Sequence, residues 1–376
     1  MKLKRKIIYL ILILFFLPIV SHAAGFYFIP EESNFFKNDT FIVELILDTE
    51  KNKINMVHVL VDFSTEDIQV LEFIKGGSEI DLWVKNPVVS NKNGTIEFIG
   101  GSSKGFISNN GLLGKLIIKP QKIGDIKLSY GEETIALISD GKGTPLEIIN
   151  FEGFYKIEEQ LDLSRVYSRT HPLSNTWNPS VNLELAWEIR EDALYSYEIT
   201  KDAQIIPDEK PEEIVGNIAY YGLDDGIYYF RLREKVLDKE WGAASTYRIM
   251  IDSHPPKKFT PIISRQKDIF KDKFFLIFNT TDSESGIDYF SVCEGEKPCV
   301  QAQSPYILSN QFLGKEIIVR AYDVMGHIRE AKIKPSFVLP NYIWITTILL
   351  VIFFVVIYLI YRFIKKKRTR PPLVYE

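Results

Sequence analysis

From Tyr342 to Tyr361 the chain carries no charged residue, and the run is closed by Arg362 and by Lys365-Lys366-Lys367-Arg368. About 20 apolar residues at roughly 1.5 Å each span a hydrocarbon core of roughly 30 Å, so residues 342–361 predict a membrane-crossing helix. The basic cluster places the tail 362–376 on the cytoplasmic side by the positive-inside rule. Tyr342 and Trp344 fall where interfacial aromatics anchor such a helix. At the other end, Lys2, Lys4, Arg5 and Lys6 precede an apolar stretch from Ile7 to Val20 and then Ser21-His22-Ala23-Ala24. A basic region, a short apolar core and small residues at cleavage spacing predict a secretory signal peptide over residues 1–23. The two ends together predict a cell-membrane protein with a single pass. Residues from about Gly25 to Leu339 would then be displayed outside, and the tail is too short for an enzymatic domain.

The displayed stretch is long enough for two or three domains of roughly 100–150 residues each. Lys and Arg number 45 against 49 Asp and Glu, a net charge of -4 that gives no support for a nucleic-acid partner. Aromatic residues make up 13%, with 19 Tyr and 25 Phe, residue types that favour half-buried strands. Cys293 and Cys299 stand in Cys-Glu-Gly-Glu-Lys-Pro-Cys, and they are the two cysteines of the chain. Outside the cytoplasm such a pair is expected to form a disulfide closing a small loop. Free thiols are the alternative. A metal site is disfavoured, because the pair lacks nearby His or Cys partners.

Between the two ends, period-2 patterns dominate. Phe41 to Leu47 reads as a strand, and Val57, Val59, Val61 and Phe63 alternate with Met56, His58, Leu60 and Asp62. Such alternation predicts a sheet with two distinct faces. Thr95 to Ile99 follows the turn pair Asn93-Gly94, Leu112 to Lys119 ends at Pro120, and Ile126 to Tyr130 and Glu133 to Ser139 come after. Strands recurring every 8–12 residues suit a sandwich or barrel. Glu79 to Val84 is the best short-helix candidate. The expected fold class is all-β, with sandwiches in succession and one C-terminal transmembrane helix. The charged stretch from Lys156 to Ser164 suggests a linker over 158–169. A second unit is expected over 170–252, closed by Ser253-His254-Pro255-Pro256, a semi-rigid joint. A third is expected over 257–335. Units of about 80 residues with many short strands suit Ig-like sandwiches.

Residues 25–157 resemble the cohesin domain of bacterial cellulosome scaffoldins and of other surface proteins. The carriers begin with Lys37-Asn38-Asp39-Thr40-Phe41-Ile42-Val43, then Val57 to Phe63 leading into Ile68-Gln69-Val70-Leu71. They continue with Asn93-Gly94-Thr95-Ile96-Glu97-Phe98-Ile99-Gly100-Gly101 and Asn110 to Leu116, then Gly124 to Tyr130 and Asp140-Gly141-Lys142-Gly143-Thr144. The resemblance implies a nine-stranded jelly-roll sandwich, related in fold to some carbohydrate-binding modules, and recognition rather than catalysis. Cellulosomal cohesins bind dockerin modules, which need calcium. Residues 170–252 resemble a fibronectin type III unit through Leu185-Ala186-Trp187, Tyr195-Ser196-Tyr197-Glu198 and Leu223 to Arg231. Residues 257–335 resemble bacterial Ig-like repeats through Asp282 to Phe290, Ser304-Pro305-Tyr306 and Val319 to His327. Both imply spacing and presentation.

If Val57, Val59, Val61 and Phe63 face the core, then Met56, His58, Leu60 and Asp62 face outward. The same logic turns out Glu97 and Ile99, and on another strand Leu113, Lys115 and Ile117. In the resembled family dockerins dock on a sheet face, and Met56 and His58 match its contact strand. That family often carries Asn and Asp there. Here Met56 and Leu60 make an apolar centre, which suits a protein partner. The bland alternative is that a neighbouring strand or loop covers these residues. The expected partner site is therefore Met56, His58, Leu60, Asp62, Glu97, Ile99 and Lys115. Trp83 is the one ring a sugar reading could use here, and a core or rim role is the commoner fate of Trp.

No metal site and no cofactor are assigned to the chain itself, and calcium would enter through a dockerin-type partner. The loop Ser139 to Thr144 offers one carboxylate and a lysine, so it reads as a turn. Asp282 and Glu284 in Asp282-Ser283-Glu284-Ser285 form the nearest oxygen cluster, whose plain reading is a solvated loop with Asp282 capping a turn. His22, His58, His171, His254 and His327 are scattered, with His171 and His254 before prolines in expected linkers. No zincin or phosphate-loop motif occurs, and no enzyme is expected. The leading expectation is an extracellular binding module for a protein partner, of dockerin type. The alternatives are a polysaccharide-binding surface protein and a non-binding envelope spacer. An uncovered Met56/His58/Leu60 patch would favour protein, and an aromatic strip would favour sugar.

Overall fold

The computed structural model describes residues 24–37, 39–159, 165–212, 215–237, 239–267, 270–335 and 341–368. The expected signal peptide at 1–23 and the end of the tail at 369–376 lie outside the described residues. The chain is all-β with one long C-terminal helix. It divides into two compact units. One holds Met1–Lys258, Asn279–Asp288 and Ala321–Arg329, and the other Phe259–Phe278, Tyr289–Arg320 and Glu330–Glu376.

In the first unit, the head is built from β1 (Gly25–Ile29), β2 (Glu32–Phe36), β3 (Phe41–Asp48), β4 (Ile54–Phe63), β5 (Ile68–Ile74) and β6 (Leu82–Ser90). It continues with β7 (Thr95–Phe106), β8 (Gly111–Pro120), β9 (Gly124–Tyr130), β10 (Ile135–Ile138), β11 (Ile149–Asn150) and β12 (Gly153–Glu158). One sheet runs β11-β1-β3-β8-β5 and the other β2-β12-β9-β4-β7-β6, with β10 beside β4. The expected nine strands are thus twelve, because the short pieces β2, β10 and β11 pair along the sheet margins. The alternation read from sequence sets the inner faces. Val43, Leu45, Val57, Val59, Val61 and Phe98 meet between the sheets. Each buried side chain of this kind contributes roughly 1.5–3 kcal/mol.

Two local features explain the path into the open sheet. The stretch Glu79 to Val84 is not a helix, because its backbone pairs with strands instead. Glu79 N–H donates to Leu112 O (2.8 Å) and Asp81 N–H to Gly101 O (3.0 Å), and β6 begins at Leu82. The Asp81 carboxylate accepts from the amide and hydroxyl of Ser103, each at 2.8 Å. Gly94 closes the β6–β7 turn at φ 70°, and a Cβ there would come within 2.2 Å of Phe63 O. Only glycine fits such a position without strain.

The second sandwich of this unit comprises β13 (Val166–Ser168), β14 (Trp177–Asn178), β15 (Leu183–Trp187), β16 (Ala193–Thr200), β17 (Asn217–Tyr220), β18 (Gly226–Val236) and β19 (Ser245–Ile251). Its sheets run β13-β15-β17 and β14-β19-β18-β16, around Leu185, Trp187, Tyr195, Phe230 and Ile249. Strand β13 lies inside the stretch read as a linker over 158–169 and pairs with β15. His171, also read as a linker residue, is 2% exposed. Its Nε2 meets Ser180 O at 3.1 Å, and its carbonyl accepts from the Tyr247 hydroxyl. The sequence reading missed this because the Pro172 that follows it is local, whereas the bonds that bury it come from distant strands.

The other unit is organised around Leu276, Phe278, Val292, Leu308, Ile317 and Val319. Cys293 and Cys299 are joined as a disulfide. The helix α1 (Asn341–Arg368) includes Trp344–Lys365, a stretch long and apolar enough to cross a membrane.

Candidate functional site

The outer face of β4, β7 and β6 gathers most of the residues predicted from sequence. Met56, His58, Leu60 and Asp62 alternate with buried Val57, Val59, Val61 and Phe63 and are themselves half-buried. The β4–β7 register sets His58 opposite Ile99 and Leu60 opposite Glu97. On the other side of β7, Lys85 and Val88 of β6 lie opposite Ile99 and Glu97. Glu97 is the hub. Its carboxylate meets His58 Nε2 at 3.2 Å and Lys85 Nζ at 2.5 Å. The Lys85 ammonium, aided by His58, holds Glu97 below the usual carboxylate range. Around this charged centre lie Met56, Leu60 and Ile99, with Ile135 and Leu137 of β10 opposite His58 and Met56. Leu60 is tied from behind by Thr134. The Thr134 hydroxyl accepts from Leu60 N–H (3.1 Å) and donates to Leu60 O (3.0 Å), where the neighbour of β4 changes from β9 to β10.

Lys115 does not belong to this face. It lies on β8, in the other sheet, paired with Glu44 at 3.3 Å. Leu113 and Ile117, expected to turn outward with it, are both 0% exposed. Leu113 packs into the head core, whereas Ile117 joins Ile74, Trp177 and Met250 in a separate cluster, so the second sandwich covers the outer face of β8 and β5. Arg248 reinforces this contact, reaching Thr40 Oγ1 (2.9 Å) and Thr40 O (3.4 Å) as well as Asn175. A cleft of about 740 Å³ opens beside it, lined among others by Phe35, Asp39, Tyr229 and Arg231. Burial pushes Asp39 up to about 6 against the pull of Arg231 and Arg248. Sequence periodicity marks outward positions on β8 as readily as on β4. It holds no signal for which outer face a second domain will cover.

A cluster of carboxylates forms where the joint after β19 meets the loops 282–286 and 321–329. Asp225, Asp252 and Glu284 each offer a ligand atom within 4.8 Å of the others, and so do Asp252, Asp323 and His327. Asp282 and Glu284 were predicted as the nearest oxygen cluster. The loop is not solvated as its plain reading had it, for Asp282 is 4% exposed and Ser285 3%. Asp282 does cap its turn, accepting from the amides of Glu284 (3.1 Å) and Gly286 (3.0 Å). Burial, with Asp252 and Asp323 nearby, pushes Asp282 up to about 6. Burial, with Asp282, Asp252 and Asp225 nearby, pushes Glu284 up to about 7. The head reaches this loop too. Gly77 N–H donates to Asp282 O (3.2 Å), and a Cβ at Gly76 would come 1.8 Å from Glu284 O. Asp252 and Asp323 were not singled out from sequence, and His327 entered only as one of the scattered histidines and Asp225 only within the stretch Leu223 to Arg231. The available signal was Asp225 beside Gly226, with Asp252 and Asp323 each three residues before a Pro or a Gly, at Pro255 and Gly326.

The remaining candidates resolve locally. Trp83 packs inward, with Phe98 and Phe73 at centroid distances of 5.5 and 6.1 Å. Asp140 accepts from Lys142 N–H (2.8 Å) and Thr144 Oγ1 (2.5 Å), a turn as read.

The fold is thus that of an all-β protein of packed sandwiches with one helix of membrane-crossing length. No protein-family model matches the chain, and no curated protein matches it. Among solved structures it is similar to the type I cohesin–dockerin complex chain from Clostridium thermocellum, at 16% identity and TM-score 0.33 over 37% of this chain and 96% of that one. It is also similar to a cohesin module of a family 33 glycoside hydrolase from Clostridium perfringens, at 14% identity and TM-score 0.31 over 37% of this chain and 100% of that one. A non-cellulosomal cohesin from the hyperthermophilic archaeon Archaeoglobus fulgidus is similar at 14% identity and TM-score 0.31, over 37% of this chain and 94% of that one.

Proposed function

We propose that the chain is a non-catalytic, membrane-anchored recognition protein whose head binds a folded protein partner, of dockerin type, on the outer face of β4, β7 and β6. The observation that carries this reading is the contrast between the two outer faces of the head. One is buried by the second sandwich, and the other presents half-exposed Met56, Leu60 and Ile99 around the His58–Glu97–Lys85 group. Half-exposed apolar side chains around a pre-positioned polar hub suit a protein interface. A sugar would call for exposed rings to stack on. Among the described residues, β4, β7 and β6 present none outward, and Trp83 faces the core. In this reading α1 crosses the cell membrane, the sandwiches stand outside and the basic end lies in the cytoplasm.

The test uses the full chain in detergent as bait for extract from the source organism, with bound protein and glycan both identified. Met56→Asp and Ile99→Asp are expected to reduce capture of the principal protein at least tenfold, while Lys119→Glu on the opposite sheet leaves it unchanged. Capture indifferent to both face substitutions, or a retained glycan without protein, overturns the reading.

A further inference from the structure

We propose that Asp225, Asp252 and Glu284, with the hydroxyl of Ser285, form a calcium-binding site at the joint that follows β19. The inference is independent of what the head binds. Three carboxylates from distant positions place ligand atoms within 4.8 Å of one another. Asp252 is 0% exposed, yet among the described residues its oxygens meet only two long amide contacts, His254 N at 3.4 Å and Ser285 N at 3.3 Å. Ordinary N–H···O bonds run about 2.7–3.2 Å, so this buried carboxyl is weakly hydrogen-bonded. Glu284 accepts no side-chain hydrogen bond among the described residues. The neighbouring basic side chains are His254 on Asp225 (2.6 Å), His327 on Asp323 (3.0 Å) and Lys257, which acts on Glu284.

A second observation is separate from the acids. Ser285 is 3% exposed, and among the described residues its Oγ has no hydrogen-bond partner. Its own amide donates to Asp252 Oδ2 (3.3 Å), which sets the residue next to that carboxylate. A buried hydroxyl left unpaired among carboxylates is a misfit for a purely structural cluster and a natural fourth oxygen for a cation.

The donor set selects the metal. Carboxylate and hydroxyl oxygens suit a hard cation, and ligands supplied from three separate segments suit the loose coordination of calcium better than the strict octahedron of magnesium. The alternative triad Asp252–Asp323–His327 would suit zinc. There, however, Asp323 Oδ2 already meets the His327 ring Nδ1 (3.0 Å), so two of the ligands a zinc ion would need are bound to each other, whereas Asp225 is held from outside its triad, by Ser253 Oγ (2.7 Å) and His254 Nδ1 (2.6 Å). A bound calcium ion would tie Asp225 and the Asp252 joint to the 282–286 loop, and so stiffen the segment Ser253-His254-Pro255-Pro256.

The experiment takes the full chain in detergent, stripped with EGTA, and titrates it with CaCl2 at pH 7.5 by calorimetry and by thermal melting. A single equivalent is expected, with Kd on the order of 10⁻⁴–10⁻³ M, typical of extracellular modules, and a rise in melting temperature. Glu284→Gln should weaken calcium at least tenfold. In EGTA that variant should melt no lower than the parent, because it removes one of several like charges, whereas a merely structural Glu284 would show a loss there. Three results overturn the site: no heat and no shift up to about 10 mM CaCl2, a Glu284→Gln variant that titrates like the parent, or a response to ZnCl2 alone.

Discussion

The two outer faces of the head begin from the same pattern and end in opposite states. On β4, Met56, His58, Leu60 and Asp62 stand half-exposed between buried neighbours. On β8, Lys115 keeps partial exposure, while Ile117 disappears beneath Trp177 and Met250. What separates them is not residue type but what packs on top. An apolar outer face can become a domain contact or stay open to a partner, and the head has one covered and one open.

Substitution tests this contrast most severely at matched isoleucines. Ile117→Asp places an unpaired carboxylate in a fully buried contact and is expected to cost at least about 3 kcal/mol. Ile99→Asp on the open face should cost about 1 kcal/mol or less. Urea titrations of the full chain compare them, and equal losses would break the distinction. Next in size is Thr134→Val, which leaves Leu60 N–H on β4 without its side-chain acceptor and should cost about 1–3 kcal/mol by the same titration. No loss there would mean that β4 holds its place without this tie.

Asp39 sharpens the covered side through pH. Its carboxyl is raised from 3.8 to about 6 in the folded state, chiefly by burial. Its contribution to stability is therefore fully present below about 3.8 and is lost as pH rises through about 6. Asp39→Asn should remove a decline of roughly 1–2 kcal/mol across that window, after discounting for solvent at a part-exposed group. An unchanged pH profile of melting would show that the carboxyl beside Arg231 and Arg248 is not desolvated. The smallest effect belongs to the open side. Lys85→Ala should change stability by less than about 0.5 kcal/mol, since exposed ion pairs contribute little. A larger loss would mean that the Glu97 hub holds the sheet together rather than dressing its surface.

Much of the fold was legible in advance because alternation is a local property of extended backbone. Val57, Val59, Val61 and Phe63 point inward wherever that strand ends up, so Met56, His58, Leu60 and Asp62 had to share the other face. Glu97 and Ile99 followed by the same rule, and the β4–β7 register then brought Glu97 to His58. Glu79 to Val84 misled because its composition is ambiguous and its backbone bonds go to Leu112 and Gly101, which no local pattern encodes. Lys115 misled for a different reason. Its outward direction was right, but the strand belongs to the other sheet.

By itself, the sequence determined the all-β class, the inward half of each long strand and a C-terminal run of membrane-crossing length. Each of these follows from spacing between neighbours along the chain. Only the tertiary structure decided that the second sandwich covers β8 and β5 and leaves β4, β7 and β6 open. It alone brought Asp225, Asp252 and Glu284 within reach of one cation. Those outcomes depend on which distant segments meet, and the free energy of meeting resides in buried contacts between them rather than in any stretch of sequence read alone.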